Sequence, residues 1–100
     1  MLKINVLNGE GTSKLAATVA GLISEHFNAQ EKVLEVAETK DADNWDYTQT
    51  EIIYSTSRDG VEELARQIQE FLGAGVIKSS QDNAENVDIT IILGSYYTWK

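Results

Sequence analysis

Apolar and polar residues alternate in four short segments of this chain, and each of these segments predicts a β-strand. The four segments are Leu2–Val6, Lys32–Glu38, Thr50–Thr56 and Val87–Leu93. The last one reads V-D-I-T-I-I-L and alternates most regularly, which favours a strand with one buried face. The stretch from Gly75 to Asp88 is mostly polar and acidic, and it is predicted to be a loop.

A first amphipathic helix is predicted after the first strand, because apolar residues recur there every three or four positions. Its apolar stripe consists of Leu15, Val19, Leu22, Ile23 and Phe27. Thr12 or Ser13 is expected to cap the start of this helix with a side-chain oxygen. Asn28 follows the last apolar position and is expected to end the helix in the left-handed conformation.

A second amphipathic helix is predicted between the third and fourth strands. Its apolar stripe consists of Val61, Leu64, Ala65, Ile68 and Leu72. Asp59 and Glu62 have the spacing of a capping box, which satisfies two backbone N–H groups at a helix start. Gly73 is expected to end the helix.

The predicted order is therefore strand, helix, strand, strand, helix, strand, within a single domain that spans residues 1–100. This order favours an α+β fold, a two-layer sandwich of ferredoxin-like or SPOR-like type. A four-stranded antiparallel or mixed sheet carries both helices on one face, and its other face stays open. Crossover rules place the first and third strands, or the first and last strands, side by side at the centre.

Composition excludes several classes of partner. The 100 residues include 16 acidic and 8 basic ones, with a formal net charge of −8, and the basic residues are scattered. Binding to nucleic acid requires clustered lysine or arginine, so nucleic acid is not an expected partner. No apolar run approaches the roughly 20 residues of a membrane span, so no membrane insertion is expected.

Candidate metal and catalytic residues do not form a known constellation. The chain has no cysteine, and its one histidine, His26, has no neighbouring ligands in the sequence. Asp41, Asp43 and Asp46 faintly resemble a calcium loop, but the glycine and the distal glutamate of such a loop are missing. We therefore predict a protein that is not an enzyme and that has no cofactor, no metal site and no catalytic residue.

The strand–turn–helix segment N-G-E-G-T-S-K-L-A admits one rival interpretation, a phosphocarrier domain of the IIB type from sugar transport. Such a carrier holds the phosphoryl group on a cysteine or histidine at the end of the strand. This chain has Asn8 at that position, so at most a remnant of that function is expected. The same segment also lacks the glycine pattern of a dinucleotide-binding or P-loop motif, although free amides at the helix start are a generic anion site.

An ordered set of motifs resembles the C-terminal domain of the LytR/CpsA/Psr cell-envelope proteins. The set consists of V-L-N-G with Gly11 and Leu15-Ala16, T-E-I-I-Y, Ala65 with Leu72-Gly73, and V-D-I-T-I-I-L-G. The resemblance covers almost the whole chain. It departs from the family at Asn28, where glycine is usual, and after Gly94, where an acidic residue is frequent and this chain reads S-Y-Y-T-W-K.

The resemblance implies a non-catalytic accessory domain in cell-wall biogenesis of a Gram-positive-type bacterium. It places the domain outside the cell or at its surface, on a membrane-anchored protein whose catalytic domain, when present, lies upstream. If Met1 is the native start, the expected location is the cytoplasm instead, since no leader pattern precedes the first strand.

Five aromatic residues lie in two polar stretches, and they are the candidate ligand-binding residues. They are Trp45, Tyr47, Tyr96, Tyr97 and Trp99. Exposed aromatic rings stack on sugars or anchor a protein partner, so we expect peptidoglycan or another neutral wall glycan, a protein partner or a homodimer. The alternative is a purely structural or dimerisation domain in which these rings cover the ends of the core.

Overall fold

The computed structural model describes residues 2–9, 14–29, 34–41, 48–56, 60–73, 75–80 and 87–94. The described residues form two α-helices and five β-strands. In chain order these are β1 (Leu2–Asn8), α1 (Leu15–Phe27), β2 (Leu34–Asp41), β3 (Glu51–Ser55), α2 (Val61–Leu72), β4 (Val76–Ser80) and β5 (Ile89–Leu93).

The strands form one mixed sheet in the order β2-β1-β5-β3-β4. Strands β1 and β2 are parallel and joined through α1, and β3 and β4 are parallel and joined through α2. Strand β5 lies between these two βαβ units, parallel to β1 and antiparallel to β3. The α+β class and the adjacency of the first and last strands are confirmed, whereas the predicted four-stranded, ferredoxin-like or SPOR-like sheet is wrong.

The fifth strand is β4, which occupies part of the predicted loop over 75–88. It pairs with β3 at the edge of the sheet, and only Ile77 packs against the core. Val76, Lys78 and Ser79 are exposed. A strand that buries one side chain shows no apolar alternation, which is why the sequence pattern indicated a loop.

The other edge strand, β2, is also longer than the alternation predicted. It reaches Asp41, inside the polar connection predicted to begin at Thr39. Thr39 and Lys40 are polar and exposed, so they give no apolar alternation. A β-bulge interrupts its pairing with β1: Ile4 lies opposite Val36, but Asn5 lies opposite Glu38. The additional residue, Ala37, twists this edge and makes it a poor template for further strands.

Both helices pack on one face of the sheet, as predicted, and their inner faces form the core. The predicted stripe of α2 is buried at all five positions. The stripe of α1 is different: Ala16 and Ala20 are buried with Val19 and Ile23, while Leu22 is only partly buried. The small side chains of Ala16 and Ala20 allow the helix to lie close to the sheet, and Leu22 then lies at the boundary between core and solvent.

Neither helix begins with the predicted side-chain cap. Lys14 precedes α1 with a φ of 64° and no side-chain cap hydrogen bond, while Thr12 and Ser13 lie outside the described residues. Gly60 precedes α2 with a φ of 84°. Gly60 takes the cap position, so Glu62 is the second helical residue and not the third residue that a capping box requires, while Asp59 lies outside the described residues.

The two helices end by different means. Gly73 closes α2 in the left-handed conformation, with a φ of 75°, and its N–H donates to Gln69 O at 2.9 Å, as predicted. The same conformation predicted for Asn28 is wrong, since its φ is −100°. Its side chain provides the explanation.

The Asn28 carboxamide pairs with the backbone of Leu34, the first residue of β2. Its Nδ2 donates to Leu34 O at 3.0 Å, and its Oδ1 accepts from Leu34 N at 3.1 Å. Nδ2 also lies 3.2 Å from Ser24 Oγ. The side chain therefore imitates a neighbouring strand and fixes the start of β2 against the end of α1.

Replacing Asn28 tests this pairing. We expect Asn28→Ala and Asn28→Gly each to lower the free energy of unfolding by about 1 to 3 kcal/mol, because Leu34 loses both partners. A urea titration measures the change. If Asn28→Gly were as stable as the parent, the residue would act only as a helix end, for which glycine suffices.

The residues that flank β5, Asp88 and Gly94, form further hydrogen bonds on both sides of the strand. At its start, Asp88 N donates to Lys3 O at 2.8 Å, and Lys3 N donates to Asp88 Oδ2 at 2.8 Å. Ser55 N donates to Asp88 O at 2.8 Å. At the other end, Gly94 N donates to Thr50 Oγ1 at 3.1 Å. A side chain at position 94 would collide with the backbone of Gln49, so glycine is required there.

The stability of the fold is expected to depend on the inward side chains of β5. Ile89, Ile91 and Leu93 are fully buried in the core. We expect Ile91→Ala to cost about 2 to 5 kcal/mol, because it removes a buried side chain and leaves a cavity. The measurement is urea denaturation, with Val76→Ala as the exposed control of similar size change. A loss within about 0.5 kcal/mol for Ile91→Ala would contradict this assignment.

Candidate functional site

The five aromatic residues predicted to bind a ligand all lie outside the described residues. Trp45 and Tyr47 fall between β2 and β3, and Tyr96, Tyr97 and Trp99 follow Gly94. Asp43 and Asp46 of the rejected calcium loop fall in the same undescribed range. The role of the five aromatic residues in ligand binding stays a prediction.

The described residues contain a different aromatic group, located where the last turns of the two helices meet. We call His26, Phe27 and Phe71 the aromatic cluster. The imidazole of His26 stacks on Phe71 with ring centroids 4.3 Å apart and planes 21° apart. Phe27 meets Phe71 edge to face at 5.8 Å, and His26 meets Phe27 at 4.9 Å. These contacts join α1 to α2.

Open clefts flank the aromatic cluster on both sides. One cleft, of about 310 Å³, is lined by Leu2, Phe27, Gly60, Glu63, Leu64 and Gln67. The other, of about 430 Å³, is lined by Leu22, Glu25, His26, Ala29 and Phe71. We call the aromatic cluster together with both clefts the helix groove. Because Phe27 lines one cleft and Phe71 the other, the two phenylalanines form the wall between them.

The helix groove has an acidic character. Among the described residues, each cleft is lined by one glutamate and by neither a lysine nor an arginine. The arginine of α2, Arg66, is paired with Glu62 through its Nη2 at 2.7 Å. The hydrogen bond and the charge of Glu62 raise the pKa of Arg66. This pair is exposed and helical, so its effect is local and leaves the groove glutamates uncompensated.

The sheet face that points away from the helices is not open at its centre, contrary to the prediction. Asn5 and Thr90 lie opposite each other there, and Leu7 lies opposite Ile92. Asn5 is 2% exposed and Ile92 is 7% exposed. Asn5 Oδ1 has no hydrogen-bond donor in the described part of the chain, which costs about 1 to 3 kcal/mol.

Charged residues surround this face at the sheet edges. Glu38 and Lys40 of β2 form an ion pair at 3.6 Å, and Lys78 of β4 lies 3.3 Å from Glu51. One acidic and one basic side chain are therefore paired at each of these two edges.

No three His, Asp or Glu side chains of the described ranges lie close enough together to hold a metal ion. His26 stacks on Phe71. In the segment compared with a phosphocarrier, Asn8 is buried, and Gly9 N donates a hydrogen bond to Leu93 O at 2.9 Å. Residues 10–13 of this segment lie outside the described residues.

The aromatic cluster was not among the sites predicted from the sequence, although the positions of its phenylalanines could have indicated it. Both predicted helices carry a phenylalanine in their last turn, Phe27 in α1 and Phe71 in α2. Both helices cross over the same sheet face, but β1 and β3 run antiparallel, so the sequence pattern alone does not bring these two helix ends together. The missing step was the pairing order of the strands, which determines that the two helices are neighbours.

Comparison with known proteins places the chain in a family. Residues 1–97 match LytR_C, described as LytR cell envelope-related transcriptional attenuator. The chain belongs to the LytR_C family. This family comprises non-catalytic C-terminal domains of cell-envelope proteins, as the sequence resemblance implied. No curated protein sequence matches the chain.

Two solved structures share the LytR_C fold of this chain. The solution structure of the C-terminal domain of RV0431 has a TM-score of 0.58 and 18% identity, with 95% of this chain and 73% of that chain covered. The soluble domain of a conserved hypothetical secreted protein from Mycobacterium marinum, an ortholog of Rv2700, has a TM-score of 0.60 and 21% identity. There the match covers 97% of this chain and 61% of that chain.

At these identities the two structures show the fold alone. They support the mixed α+β sheet with two helices, and one of them is described as a soluble domain of a secreted protein. No helix among the described residues of this LytR_C chain has the length and apolar character needed to cross a membrane.

The stacking of His26 on Phe71 yields a spectroscopic prediction. A ring above the imidazole shifts its proton resonances upfield, so Phe71→Leu should move the His26 Cε1 proton toward its unstacked position. The apolar contact with Phe27 is retained by leucine, and we expect a loss of only about 1 kcal/mol in unfolding free energy. Proton NMR at fixed pH measures the shift. An unchanged resonance would contradict the stacked arrangement.

Proposed function

We propose that this LytR_C chain is a single accessory domain of a cell-envelope protein and acts by binding, not by catalysis. The observation that carries this proposal is the family match over residues 1–97.

The proposed setting is outside the cytoplasm, on a membrane-anchored protein of a Gram-positive-type bacterium. The description of one structural neighbour as a secreted protein supports this setting. The absence of cysteine is compatible with it, because no thiol requires protection from oxidation.

The proposed ligand is an uncharged wall glycan such as the peptidoglycan strand. Support comes from Trp45, Tyr47, Tyr96, Tyr97 and Trp99, which lie in polar stretches while the described core is largely aliphatic. Flat rings in polar surroundings stack well on sugar rings. The net charge of −8 repels anionic wall polymers, so a neutral glycan is the better candidate.

A second candidate function is association with a protein or with a second copy, in which the same aromatic residues have a structural role. The helix groove favours a polypeptide partner, because partly exposed rings flanked by clefts are typical of protein interfaces. The glycan candidate rests on the five aromatic residues and the polypeptide candidate on the helix groove, so the two are tested separately.

A pull-down with purified cell wall tests the glycan proposal. We expect Tyr97→Ala with Trp99→Ala to reduce the bound fraction roughly fivefold or more, because two stacking rings are lost. The matched control is Tyr97→Phe with Trp99→Phe, which retains flat rings and should retain binding. All variants must keep the melting temperature of the parent.

The outcome separates the candidates. Equal retention of parent and alanine variant, or no retention of either, would reject glycan binding through these residues and leave the structural role. Retention by the phenylalanine variant together with loss by the alanine variant would establish stacking as the mode of binding.

A further inference from the structure

We propose that the helix groove is a docking surface for a basic polypeptide segment that inserts apolar side chains into both clefts. This surface lies on the helical layer and is defined by its described residues. The inference goes beyond glycan binding, because it rests on His26, Phe27, Phe71 and the described residues of the two clefts.

The shape of the groove fits side-chain anchors. The clefts, of about 310 and 430 Å³, each have an aromatic wall, formed by Phe27 in one and by Phe71 in the other. Leu2 and Leu64 add apolar surface to the first cleft, and Leu22 adds it to the second. Because one wall separates them, a single continuous segment can fill both clefts with neighbouring side chains.

The charge of the groove selects the sign of the partner. Glu63 lies in one cleft and Glu25 in the other, and no lysine or arginine is found in the described lining of either cleft. Arg66 on the same helical layer is already bound to Glu62. Lysine or arginine next to the apolar anchors would therefore meet an uncompensated carboxylate at each cleft.

The same charges disfavour the other occupants. A second copy would bring two grooves with glutamates and two chains with a net charge of −8 together, without a basic residue among the described lining of either groove. An anionic polymer meets the same repulsion. A basic amphipathic segment is the occupant whose chemistry matches both the apolar walls and the acidic side chains.

A peptide of defined chemistry tests the proposal with the whole chain. The probe is a fluorescein-labelled amphipathic peptide made of leucine, phenylalanine and lysine, and its control replaces every lysine by glutamate. Fluorescence polarisation measures the Kd, and 15N–1H NMR spectra of the labelled protein locate the contact. The assay contains no wall material, so its result is independent of glycan binding.

Two double variants separate the groove from general charge attraction. Glu25→Gln with Glu63→Gln neutralises the groove, while Glu35→Gln with Glu38→Gln removes the same charge from exposed positions on the β2 edge. We expect the groove variant to raise the Kd about fivefold and the edge variant less than about twofold. The lysine peptide should perturb amides of residues 22–29 and 60–71.

Several results would overturn the proposal. These are an absence of saturable binding to the lysine peptide, equal effects of the two double variants, and perturbed amides located on β2, β3 or β5. Equal binding of the glutamate peptide would also reject it. Concentration-dependent perturbation of the groove amides without peptide would assign the groove to a second copy instead.

Discussion

The pairing of β5 with both β1 and β3 is the interaction on which the rest of this LytR_C fold depends. Each βαβ unit provides a parallel pair of strands, and only β5 joins the two pairs into one sheet. It does so with three fully buried side chains and with Asp88, whose backbone and carboxylate bind Lys3 on one side and Ser55 on the other. Without these contacts the two helices would have no common sheet face.

The sequence predicted the parts of the fold in which burial produces a regular pattern. The stripe of α2 and the alternation of β5 are examples, because their inward positions are uniformly apolar. Strand β4 was missed, since an edge strand that buries only Ile77 has no alternation. Asn28 was misinterpreted because its side chain bonds to Leu34, a residue whose proximity depends on the tertiary fold. Local patterns do not contain such long-range contacts.

The candidate site shows the same division. Composition predicted an acidic protein. The helix groove, however, arises from two helix ends that are distant in sequence. Phe27 and Phe71 become neighbours because β1 and β3 flank β5 with both crossover helices on one face. The acidic side chains and the rings then combine into a surface whose preference for a partner follows from its charge and shape.

The central position of the last strand has a consequence for how the protein is made. Lys3 and Asp88 are separated by 85 positions, yet they bond to each other at the middle of the sheet. A nascent chain emerges from its N-terminus, so the two βαβ units are complete at Asp41 and Ser80, before the strand that joins them begins at Ile89. The native sheet can form only after synthesis has passed Leu93. Until then the two units have no central strand through which they could fold as one cooperative body.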